Sequence, residues 1–165
     1  MQTIPLYGRK ANGRVALIDD EDYELVSQYR WHVMESQLPG RRPAGPYAEA
    51  SLPNGRRQPP KTLMHRLITG YAITDHINHD GLDNRRANLR EATVAQNQQN
   101  RRANGASAFK GVAWDRQHSR WVAKIAVSGR TINLGRFAAE VDAARAYDAA
   151  AVELFGEFAF INFPD

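Results

Sequence analysis

The chain has 165 residues, 42% hydrophobic and 24% charged, enough for one ordinary domain or two small ones and too apolar for a disordered chain. It has no cysteine, which excludes disulfides, thiolate zinc sites and thiol nucleophiles; no apolar run nears the roughly 20 residues of a membrane span, and without an apolar signal core at the start the expected location is the cytoplasm. The net charge of +4 and isoelectric point near 9.6 suit a polyanionic partner without requiring one.

In chain order, "RVALI" reads as a strand, "DEDYELVSQY" as a short helix capped by Asp19 with an acidic first turn, and "WHVM" as a returning strand carrying a structural His32. Residues 39–60 hold six of the eight prolines around the strand-like "YAEASL", a loop-rich hairpin. Its pairs Arg41-Arg42 and Arg56-Arg57 are either solvated loop charge or phosphate contacts. Thr62 is expected to cap a short helix, "LMHRLIT", closed by Gly70, in which His65 either packs the helix or reaches a site.

The densest stretch is "TDHINHDGLDNRRANLREATVAQN", Thr74 to Asn97, with two histidines, three aspartates and four asparagines. "AITDHIN" and "NLREA" read as strands joined by a turn-rich loop, and "TVAQ" is a capping box for a helix running to about Ala103. One carboxylate and amide oxygens without sulfur suit a hard cation such as magnesium. A neighbouring histidine can take a proton from water near neutral pH. Phosphodiester hydrolysis needs both. Asp75 and His76 alternate on a strand and point apart, which assigns Asp75 to metal and His76 to water. Asn88 and Asn97 are nine apart, roughly 900° around a helix, and cannot share one helix and one site. The capping box leaves Asn88 on the second strand, beside the histidine, and puts Asn97 one turn into the helix.

Residues 107–163 predict three short strands, "FKGVAW", "RWVAKIAV" and "RTINLGRF", the last two joined by a tight turn at Ser128-Gly129, then the helix "AEVDAARAYDAAAVELF" stopped by Gly156. His118 falls in the first connection, as a solvated residue. The helix presents a face of Ala143, Ala144, Tyr147, Ala150, Ala151 and Leu154. Period two puts Trp121, Ala123, Ile125 and Val127 on one sheet face and Val122, Lys124 and Ala126 on the other. Residues 106–136 carry six Lys/Arg against one acid, Asp115, whereas 137–165 carry one Arg against six acids. The sheet thus offers an apolar face to the helix and a basic one outward, either solvated or set in the DNA major groove.

The string "DHINHDGLDNRRANLREATVAQN", with "MHRLI" upstream, resembles the HNH nucleases, the ββα-metal finger, and most of all their bacteriophage homing-endonuclease branch. The resemblance implies that Asp75 and Asn97 ligate a divalent metal, His76 is the general base and Asn88 orients its imidazole through a hydrogen bond. His79 stands where such sequences usually have Gly. The stretch "FKGVAWDRQHSRWVAKIAVSGRTINLGRFAAEVDAARAYDAAAVELFGEFAFINF" is similar to the plant ethylene-response-factor DNA-binding domain of the AP-two type. It implies DNA contacts from Lys110, Trp114, Arg116, Arg120, Lys124, Thr131, Asn133 and Arg136, with Arg130 on phosphate; Trp114 has core as an equal alternative. Ala113 and Ala126 replace base-reading arginines, so the plant target does not carry over.

The expectation is therefore an α+β protein. A ββα-metal HNH nuclease region spans 1–104, its core about 62–103 packed on an N-terminal extension 1–60. A three-stranded antiparallel sheet packed on one helix follows in an AP-two-like DNA-binding domain at 105–165, after the linker-like "RRANGASA". The expected activity is DNA phosphodiester hydrolysis by a site-specific homing endonuclease encoded by a phage or prophage, acting on double-stranded DNA in the bacterial cell as a monomer, with a dimer as the alternative. The expected cofactor is magnesium, or manganese, and not zinc. The alternative is a DNA-binding regulator with a vestigial nuclease fold.

Overall fold

A computed structural model describes residues 1–36, 44–53, 57, 59–103 and 107–164. Arg41, Arg42 and Arg56, and the middle of the linker-like stretch, lie outside these. The fold mixes helix with several small antiparallel sheets, and the chain divides into two compact units, Met1–Val94 and Ala95–Asp165. Among the described residues no helix is long and apolar enough to cross a membrane.

In the first unit, β1 (Gln2–Pro5) pairs antiparallel with β2 (Val15–Ile18). A 3-10 turn at Asp20–Asp22 leads into the five-residue helix α1 (Tyr23–Ser27). Strands β3 (His32–Ser36), β4 (Ala44–Ser51) and β5 (Lys61–Leu63) form a sheet in that order. Helix α2 (Met64–Thr69) and the short pair β6 (Thr74–His76) and β7 (Leu89–Glu91) follow. Two expected caps are absent. Thr62 lies within β5 and Leu63 precedes α2. Asp19 makes no cap bond; its Oδ2 instead accepts the backbone N–H of Arg86 at 2.8 Å. A carboxylate beside an arginine-bearing turn finds a better donor there than in a one-turn helix.

One apolar cluster runs through the unit, joining Ile4, Ile18, Val26 and Trp31 to Met64, Ile68, Leu82 and Leu89. Trp31 is fully buried and donates its indole N–H to Val26 O at 2.8 Å. The N-terminal extension thus shares its core with the β6–β7 region, which alone has too little apolar surface to fold.

In the second unit, α3 (Val94–Gln99) is shorter than expected, and all but its first residue belong here. Strands β8 (Val112–Asp115), β9 (Arg120–Val127) and β10 (Arg130–Phe137) form a three-stranded antiparallel sheet with β9 central. Ser128 and Gly129 both take positive φ, 50° and 77°, as the two-residue turn between β9 and β10 requires. Helix α4 (Glu140–Phe155) buries Ala143, Ala144, Tyr147 and Ala151; Val112, Ala123 and Ile125 of the sheet belong to the same clusters. Leu154, expected on this face, is 45% exposed.

Candidate functional site

Asp75 and His76 are neighbours on β6 and both are buried. Their cross-strand partners differ, Arg90 for Asp75 and Leu89 for His76, as strand alternation demands. Asp75 Oδ2 accepts from Arg90 Nε at 2.9 Å and Nη2 at 2.7 Å, a pair only 4% and 13% exposed. The guanidinium compensates the buried carboxylate charge.

His76 sits among rings. The His65 imidazole of α2 stands edge-on to it, centroids 4.9 Å apart and planes at 86°. Tyr47 of β4 lies 5.7 Å from His76 and 5.6 Å from His65. Gly81 closes over this cluster: a Cβ there would come within 2.4 Å of the Tyr47 ring and 2.5 Å of Pro46 O. Burial lowers the pKa of His76, while Asn84, Asp75, Asp80 and Asp83 favour its charged form. Burial also drives His65 down to about 3, helped by the charges of His76 and Arg66. His65 is therefore neutral at physiological pH, and its buried Nδ1 has no hydrogen-bond partner among the described residues.

The acidic and amide residues of the 77–88 loop bond mostly to one another. Asn78 Oδ1 accepts from Asp80 N (2.9 Å), Asp80 Oδ1 from Leu82 N (2.9 Å), and Asn78 Nδ2 donates to Asp83 Oδ2 (2.8 Å). Arg85 pairs with Asp83 through Nε (2.7 Å) and Nη2 (2.6 Å). The β2 backbone ties the loop down: Leu17 N donates to Leu82 O and Asn84 N to Leu17 O, each at 2.8 Å. Arg86 grips Asp22 through Nε and Nη2 and also meets Glu21 at 2.8 Å. His79 has φ 64°, a left-handed conformation that explains why glycine is usual there.

Asn88 needs a correction. Its Oδ1 accepts from Asn78 N at 2.9 Å and its Nδ2 donates to Asp83 O at 2.8 Å. Both ends of the amide hold loop backbone and neither bonds the His76 imidazole. Among the groups that favour the charged form of His76 is Asn84, which is fully buried and donates from its Nδ2 to Leu82 O at 3.1 Å; in the sequence it reads only as a turn former. Tyr47 carried no signal at all. Arg90 becomes visible only once the β6–β7 register sets it opposite Asp75.

Asn97 lies on α3, in the second unit. Among the described residues no three His, Asp or Glu side chains gather as a metal site. The donor type still fits a hard cation: Asp75 offers carboxylate oxygen, and magnesium keeps several waters and takes phosphate oxygens for the rest of its shell.

In the second unit, register fixes the sheet faces, since directly opposed residues point the same way. Ala113, Val122 and Arg136 share the outer face, as do Asp115 with Arg120, Lys124 with Asn133, and Ala126 with Thr131. Arg120, Lys124, Arg130, Thr131, Asn133 and Arg136 are exposed, and Arg116 is exposed in the β8–β9 turn. Two expected contacts lie elsewhere. Trp114 opposes Trp121, on the face turned to α4, with ring centroids 5.1 Å apart and 47% of its surface exposed. Lys110 Nζ donates to the carbonyls of Gln98 and Gln99 at the end of α3, as a cation does at a helix C-terminus; its burial lowers the amine to about 8. His118, expected to be solvated, is exposed, but its Nδ1 lies 2.8 Å from Asp115 Oδ2.

No family model matches the chain. Over 161 residues, 95% of its length, it is 31% identical to the protein of Acanthamoeba polyphaga mimivirus named "Uncharacterized HNH endonuclease L560" and covers 79% of that protein. The chain belongs to the HNH endonuclease family. This HNH protein also has a stretch of 61 residues, 36% of the chain, that is 46% identical to the AP2-like ethylene-responsive transcription factors CRL5 of Oryza sativa subsp. japonica and PLT2 of Arabidopsis thaliana. The match spans 10% and 11% of those plant proteins. Both resemblances in the sequence are thereby matched by relatives.

Proposed function

We propose that this HNH protein is a metal-dependent, site-specific DNA endonuclease of the homing type, of phage or mobile-element origin, whose β8–β10 sheet binds double-stranded DNA. The observation that carries the reading is a buried, uncharged imidazole, His76, held on a strand beside the buried carboxylate of Asp75 in a chain of this family.

His76 accepts the proton of the water that attacks phosphorus, and the P–O3′ bond breaks. Its neutrality leaves a ring nitrogen able to take that proton, and the Tyr47 and His65 rings limit the imidazole's freedom to turn away. Asp75 would hold a divalent ion, magnesium or manganese, which when bound stabilises the charge developing on the phosphate and the leaving oxygen. For Asn97 the ligand role rests on sequence resemblance, and Asn97→Ala reads it out in the same assay. Asn88 keeps the 77–88 loop in register. One such site per chain nicks one strand as a monomer.

The test is relaxation of supercoiled plasmid, and cleavage of genomic DNA from the source, with magnesium or with EDTA. Wild type should cut only with the metal, and His76→Ala should lose at least about 100-fold while binding DNA normally. If wild type cuts neither substrate yet binds DNA, the regulator with a vestigial nuclease fold replaces this reading.

A further inference from the structure

The outer sheet face holds an acid where a polyanion is expected to bind. Asp115, the only acidic residue between 106 and 136, ends β8, and its carboxylate is fully used. Oδ1 accepts the backbone N–H of Gln117 at 3.1 Å and of His118 at 3.3 Å. Oδ2 accepts Arg136 Nε at 3.1 Å and lies 2.8 Å from His118 Nδ1. The turn therefore fixes the carboxylate, and the carboxylate fixes the arginine across the sheet.

The other exposed cations of this surface differ. Arg116, Arg120, Lys124 and Arg130 make no side-chain hydrogen bond among the described residues. Such charges, held by no side-chain bond, suit phosphates, which supply affinity and carry no sequence information. Arg136 has its guanidinium plane set through Nε, while its two terminal nitrogens have no protein acceptor among the described residues. A planar fork with a free outer edge is the donor pair that meets guanine O6 and N7 in the major groove. Holding it beforehand removes the entropy cost of ordering a long side chain on binding.

We propose that Asp115 is a specificity-determining positioning residue: it presents Arg136 to the major-groove edge of a guanine, at some expense of overall affinity. This rests on the reading of the sheet as a DNA-binding surface. The two effects of the carboxylate have opposite signs. Its negative charge opposes any duplex, whereas its hold on Arg136 favours only a duplex with guanine at one position. A carboxylate that merely closed the β8–β9 turn would repel any duplex in the same way but would not change which base pair is preferred.

The experiment selects duplexes from a randomised library with the full-length chain in EDTA, using wild type, Arg136→Ala, Asp115→Ala and Asp115→Asn. Asp115→Asn keeps an oxygen for the turn N–H groups and removes the carboxylate that holds Arg136. Wild type should enrich a motif with one guanine that both Arg136→Ala and Asp115→Asn lose, a drop in preference of about 5- to 100-fold at that position alone. On a fixed non-target duplex Asp115→Asn should bind as tightly as wild type or several-fold tighter, and Arg136→Ala several-fold weaker. The proposal is overturned if Asp115→Asn keeps the preference that Arg136→Ala loses, if Arg136→Ala leaves the whole motif intact, or if wild type binds duplex DNA without enriching any motif. If wild type binds no duplex, the DNA-binding reading of the sheet falls with it.

Discussion

Asn88 shows how a correct choice of residue can come with the wrong partner. Strand pairing placed it near His76, and the family pattern suggested a bond between them. Which atoms an amide bonds depends on loop conformation, which spacing does not specify. Because its two hydrogen bonds hold two backbone groups, Asn88→Ala should cost about 2–3 kcal/mol in urea unfolding and abolish nicking, and Asn88→Asp should not rescue it, lacking the donor for Asp83 O. His65 carries a pH signature. Its folded pKa of about 3 lies below the value of 6.5 of an unperturbed histidine. Between those values the unfolded chain binds a proton that the native one refuses, so stability is full above pH 6.5 and falls as pH drops toward 3. By about pH 5 this amounts to about 2 kcal/mol from His65 alone, and His76 adds to it in the same direction. Urea midpoints across that range should fall more steeply for wild type than for His65→Phe, and equal slopes would remove His65 as the cause.

The elements were legible where pattern and length were both strong. Strands β9 and β10, their turn and α4 follow from period two, Ser-Gly and a run of small residues. The β6–β7 pair was read because turn formers bracket it. Strands β1 and β5, with four and three residues, are too short to show a period, and β1 ends in proline, so only pairing with β2 defines it. The helix caps failed because α1 and α2 have five and six residues; at that length tertiary partners, such as Arg86 for Asp19, outweigh capping. The close fit of sheet and helix can be measured at two glycines with the same φ of 77°. At Gly111 a Cβ would fall 1.9 Å from Tyr147 Cδ2, and at Gly129 it would meet open space. Gly111→Ala should therefore lose more than about 3 kcal/mol, against about 1–2 kcal/mol for Gly129→Ala, in the unfolding transition of the second unit. Equal losses would mean that backbone strain alone sets both.

Over the whole molecule, the two units keep separate cores: no residue of the first unit's apolar cluster recurs in those of the second. Their cations are used in different ways: around the 77–88 loop Arg85, Arg86 and Arg90 are bound to carboxylates, whereas on the sheet of the second unit Arg136 is held by Asp115 and Arg120, Lys124 and Arg130 stand exposed. The basic composition therefore does not report a uniformly basic surface, and the sequence could not show which arginines were already paired. Lys124→Ala should weaken duplex binding and shallow its salt dependence by about one unit, whereas Arg86→Ala should lower stability and leave the salt slope alone. An unchanged slope in Lys124→Ala would take that residue off the phosphate contacts.

The loop that follows His76 and carries Asn84 is fastened to β2 through the main chain of Leu17. Every residue except proline offers the same amide and carbonyl, so that anchor places almost no demand on which side chain stands at position 17. Mutations can accumulate in the strands around it so long as their extended backbone and apolar alternation survive. The front of the chain can thus vary in sequence while still gripping the 77–88 loop, and it leaves no short word in the sequence by which its role would be read.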